Sequence, residues 1–125
     1  MTKTITFMDR LDNFRKIGSI MAQANHHLTK KNIYSILNSH DIPTSTSETF
    51  FHEFCHFFDG MTGNNESQHR KASAGAKVAK MDLSNISTPR LAQHIKDADS
   101  SIGLRSACFL SAFSEGYYLA LKQSA

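Results

Sequence analysis

The sequence predicts a mostly α-helical fold: a single compact domain of about five to six helices, with a short N-terminal strand as the only β candidate. Three observations predict it. Apolar residues recur at helical spacing, helix start and stop signals punctuate the chain, and sustained alternation is missing. The best alternating stretch sets Thr2, Thr4 and Thr6 against Lys3, Ile5 and Phe7, before the first helix. The length of 125 residues, 40% of them hydrophobic, suits one core and one domain over residues 1–125.

Each helix has its own justification. Phe7, Leu11, Phe14, Ile17 and Met21 write the apolar face of a first helix, Thr6 to His27, with Asp9, Asp12, Arg15 and Lys16 between them. Thr29 serves as N-cap of a shorter second helix that carries Ile33, Ile36 and Leu37 and ends near Ser39. Ser45 followed by Glu48 is a capping-box pattern, and Gly60 reads as a stop, so a third helix spans Thr46 to Asp59. Gly60 to Gln68 reads as a loop. Lys71 to Met81, rich in Ala, is a fourth helix, and Asp82 to Ser87 is a connector. Thr88 as N-cap with Pro89 behind it opens a fifth helix that breaks at Asp97 to Ser101. The last helix, Ile102 to Lys122, is apolar almost all round, which predicts burial.

Composition narrows the function classes. A net charge of +3 and a pI of about 9.0 are mildly basic, below the density of a dedicated nucleic-acid binder. Arg10, Arg15, Lys16, Lys30 and Lys31 keep nucleic acid among the candidate partners, although a solvated helix face explains them more simply. Two cysteines, Cys55 and Cys108, make no disulfide framework, and a reduced, cytoplasmic setting is the expectation. No run approaches the roughly 20 apolar residues of a membrane span, and the N-terminus shows no apolar signal core. No membrane partner is expected.

The chemistry concentrates in the third helix. His52-Glu53-Phe54-Cys55-His56 is an H-E-x-x-H motif. Residues i and i+4 share a helix face, so His52 and His56 can hold one metal ion, and Glu53 can take a proton from a metal-bound water. The plain alternative is an amphipathic helix with two histidines on its wet side. A catalytic zinc needs a third ligand. His69 follows the motif across the loop. Glu66 lies in that loop, where exposure to solvent is the simpler reading. Glu115 stands alone among apolar residues of the last helix, where a carboxylate is costly unless paired, ligated or able to reach the surface. His26, His27, His40 and His94 read as surface histidines, and Cys55 as a small core residue rather than a soft ligand. Tyr117 and Tyr118 read as core tyrosines, with donation to an oxyanion as the functional alternative.

At these residues the chain resembles zincin metallopeptidases. Glu48 to His56 is similar to the active helix of SprT-like proteases, which act on DNA-crosslinked proteins and take a third histidine downstream, the place of His69. His52 to Asp59 and the Gly/Asn loop behind it also resemble the gluzincin relatives of the Mlc titration factor, which take a glutamate from a later helix, the place of Glu115. The resemblance implies Zn2+ on His52 and His56, Glu53 as general base, and a protein or peptide substrate. It covers little beyond the motif helix. The usual small sheet is not found, and the metzincin continuation is absent, with Asp59 and Thr62 where that pattern needs Gly and His. The competing expectation is a non-enzymatic interaction or inhibitor protein of phage or mobile-element type, binding a larger protein or nucleoprotein assembly. In a third reading, the His pair is a structural metal staple.

Overall fold

The computed structural model describes residues 6–24, 30–39, 48–63 and 70–124, and among these the chain is helical with no strand. The helices are α1 (Phe7–Gln23), α2 (Lys30–Ser39), α3 (Glu48–Met61), α4 (Arg70–Ala79), α5 (Thr88–Ala98) and α6 (Leu104–Ser124). The mostly α-helical expectation is what is observed. Of the candidate strand, residues 2–5 lie outside the described residues, as do Thr29 and Ser45. Thr6 is extended but belongs to α1 as its N-cap.

That cap is a full capping box. The Thr6 hydroxyl accepts from the Asp9 amide, and the Asp9 carboxylate accepts from the Thr6 amide, both at 3.1 Å. Two of the four orphan donors of the first turn are thereby satisfied. The expected apolar face follows, with Leu11, Phe14, Ile17 and Met21 all buried.

α1 lies alongside α6 and runs in the same direction. Phe7 stacks near Phe109 at 5.5 Å, close to both N-termini, while Gly18 meets Phe113 and Tyr117 further along both helices. The helices touch backbone to backbone. A β-carbon at Gly18 would overlap the Phe113 carbonyl oxygen, and one at Gly116 would overlap the Arg15 carbonyl oxygen. α3 and α4 cross in the same way: a β-carbon at Gly60 would collide with the Ala72 carbonyl, and one at Gly75 with the Phe57 carbonyl.

Gly60 thus corrects the sequence reading. It sits inside α3 as a contact point and does not end the helix, which runs on to Met61. The turn falls at Gly63, whose φ of 83° is the left-handed conformation that only glycine adopts without strain. α5 also begins one residue early in its capping. Ser87 is the N-cap, its side chain accepting from the Arg90 amide, so Thr88 falls in the first turn.

Phenylalanines join the two helix pairs into one core. Phe54 meets Phe113 edge-on at 4.7 Å and Phe14 at 6.4 Å, Phe58 meets Phe113 and Tyr117, and Phe14 stacks on Phe109 at 4.8 Å. α6 is less enclosed than its composition predicts: Leu104, Leu119 and Leu121 are exposed.

The glycine contacts give a test with an unusual sign. In an open helix Gly→Ala stabilises by up to about 1 kcal/mol. Gly75→Ala should instead destabilise by about 1–3 kcal/mol, because α3 and α4 must separate to admit the methyl group. Urea unfolding reads it, and a neutral or stabilising result would refute the crossing.

Candidate functional site

Position on α3 decides the surroundings of each motif residue. At about 100° per residue, His52, His56 and Glu53 fall within one arc of about 100°, in that order. Gly60 and Phe57, which approach α4, lie on the Glu53 side of that arc. The arc therefore runs from solvent to a packed helix junction. His52 is exposed, while His56 and Glu53 are half-buried. Phe54 and Phe58 point to the core, and Cys55 is buried with them.

Glu53 has the more unusual environment. Its Oε2 atom is shut off from solvent and has no hydrogen-bond partner among the described residues. Desolvation pushes its pKa up; the positive charge of Lys71 pulls it down, and the negative charge of Asp99 adds to the rise. A carboxylate oxygen left like this invites a proton or a cation.

Lys71 and Asp99 form a junction that the sequence reading missed. Asp99 follows the end of α5 and is 4% exposed. Its carboxylate accepts from the Ser101 amide at 3.1 Å, the Ser101 hydroxyl at 2.6 Å and the Lys71 ammonium at 3.4 Å. Burial raises its pKa, but the Ser101 bonds and the Lys71 charge outweigh this and hold it below the ordinary carboxylate value. The signal was present as Asp99-Ser100-Ser101, a sequence able to form an Asx turn, which the periodicity reading treated only as a helix break.

Glu115 sits at a different junction. Its Oε2 accepts from the Thr88 hydroxyl at 2.8 Å and from Arg15 Nε at 3.4 Å, and Arg15 also donates to Thr88 at 2.8 Å and to Asp12 at 2.8 Å. Ser111 donates to the Thr88 carbonyl at 2.8 Å. The carboxylate in the apolar helix is thus paired, with an arginine from α1 and a threonine from α5. His69 and Glu66 lie outside the described residues. Among the described residues, no three His, Cys, Asp or Glu side chains are grouped where they could hold a metal ion. His94 is exposed on α5, and His26, His27 and His40 lie outside the described residues. Tyr118 donates to Asp82 at 2.7 Å, and Tyr117 is buried.

No family model, no curated protein and no solved structure matches the chain.

The Asp99 junction makes a pH prediction. A carboxylate whose pKa is lowered on folding stabilises the fold above its unfolded value, near pH 4, and loses that contribution as pH falls through the lowered folded value. Asp99→Asn should therefore cost about 1–3 kcal/mol at neutral pH, with the deficit shrinking in acid. Denaturant melts of both proteins from pH 7 down to pH 3 measure it. An equal deficit throughout would remove the charge from the explanation.

Proposed function

We propose that the chain is a zinc-dependent hydrolase of metallopeptidase type built on α3. His52 and His56 bind the metal, and Glu53 handles the proton of the attacking water. The observation that carries the reading is Glu53, next to the His pair on one arc, with a solvent-free, unpartnered carboxylate oxygen and a raised pKa. A general base works best when its pKa is moved towards the working pH, and desolvation moves a carboxylate that way. In this proposal His52 and His56 are two of the ligands. Glu115 already has Arg15 and Thr88 as partners, so His69 is the third ligand in this proposal. Zinc would polarise the scissile carbonyl and acidify its bound water. Glu53 would accept that proton and return it to the leaving amine, and the α4 junction would hold its side chain in place.

Purified protein, reconstituted with zinc and desalted, should hold about one equivalent by elemental analysis. His52→Ala and His56→Ala should each lose it. Glu53→Gln should keep the metal and lose cleavage of a casein substrate by at least about 100-fold. Absence of bound zinc after reconstitution would sink the proposal.

One observation favours a second reading, the interaction protein. Phe7, Met8 and Leu104 are exposed at the N-terminal ends of α1 and α6, and the Arg105 guanidinium stacks over Phe7 and Phe109 at 5.6 and 5.7 Å. Apolar residues with an arginine are common at binding surfaces. In that case Glu53→Gln behaves as wild type in the cell, whereas Leu104→Glu does not.

A further inference from the structure

Away from the motif, a cavity of about 270 Å³ opens between the C-terminal ends of α3, α4 and α6 and the connector that follows α4. Its walls include Met61, Val78, Leu83 and Leu121, with the rings of Tyr117 and Tyr118. This is far larger than the water-sized voids left by ordinary packing.

Two of its polar groups are already engaged. The Thr62 hydroxyl bonds to the Phe58 and Asp59 carbonyls, both at 3.1 Å, and the Tyr118 hydroxyl donates to Asp82 at 2.7 Å. Tyr117 differs. It is 6% exposed, its ring is held by Phe58 and Phe113, and among the described residues its hydroxyl makes no hydrogen bond. Here the residue lines a cavity, which leaves the donor for whatever enters.

The lining also defines the guest. Apolar walls reject an unpaired charge. The nearby charges balance: Asp82 accepts from Ser84 and from the Tyr118 hydroxyl, and Lys122 lies over the Tyr118 ring at 5.0 Å, so neither sign of charge is favoured. The geometry points to a binding site for a small uncharged molecule, a ring or short branched chain bearing one hydrogen-bond acceptor such as a carbonyl, received by the Tyr117 hydroxyl. The site is independent of the metal reading of α3.

Acetophenone, ethylbenzene and benzoate probe it. They share a ring and differ at the group presented to Tyr117. Titration followed by methyl resonances should show saturable shifts at Val78, Leu83 and Leu121 with acetophenone. Binding should be about tenfold weaker for ethylbenzene, which lacks the acceptor, and weaker still for benzoate. Tyr117→Phe removes only the unpartnered hydroxyl, so the fold should keep its stability. It should weaken acetophenone about tenfold and leave ethylbenzene unchanged. Ala79→Leu, which narrows the cavity from an exposed helix end, should weaken both. Shifts that fail to saturate, or acetophenone binding indifferent to Tyr117→Phe, would overturn the proposal.

Discussion

The architecture depends on backbone contact between helices at glycine. Gly18 and Gly116 let α1 and α6 meet, and Gly60 and Gly75 do the same for α3 and α4. Helices this close exchange dispersion contacts along the backbone and bring α-carbon hydrogens towards carbonyl oxygens. The flanking side chains must then fit what space is left, which is why Phe54 and Phe113 fill the centre between the two pairs. The same closeness sets the electrostatics of α3. Glu53 lies on the side that α4 approaches, and loses part of its water for that reason.

Two charged junctions lock the elements that the glycines bring together. Arg15, Glu115 and Thr88 tie α1, α5 and α6, while Lys71, Asp99 and Ser101 tie α4 to the chain leaving α5. They differ in kind. Glu115 shares a partly wet arginine that also serves Asp12, whereas Asp99 is almost sealed and takes three donors on its carboxylate. Breaking a sealed pair leaves an uncompensated charge, so the second junction is the more specific of the two. Glu53, which feels both of its charges, is the one member of this neighbourhood with a carboxylate oxygen left over.

Much of the fold was legible because amphipathic periodicity survives in α1 and α5, whose apolar positions are those the core receives. Gly60 reads as a stop because a glycine at a helix end and a glycine at a helix crossing look alike in one dimension. Thr88 reads as the cap because it and the true cap, Ser87, are nearly equal in capping preference. In the site, the shared arc of His52, His56 and Glu53 follows from spacing alone. The partner of Glu115 does not, since Arg15 is 100 residues away and nothing local announces it. The Lys71 and Asp99 junction was invisible for the same reason: it arises from how α4 and α5 meet.

That separation bears on how the chain reaches its native state. α1 is made before α6, yet among the described helices each is the other's principal partner. During synthesis the apolar face of Leu11, Phe14, Ile17 and Met21 must wait, uncovered, until the residues around Phe113 emerge. α3 and α4 have no such delay, being neighbours in sequence, and can associate early. Closing a loop of this length before its contacts repay the lost entropy slows folding relative to helical proteins with local contacts. The waiting α1 is thus the segment most open to chaperone capture or self-association in the nascent chain.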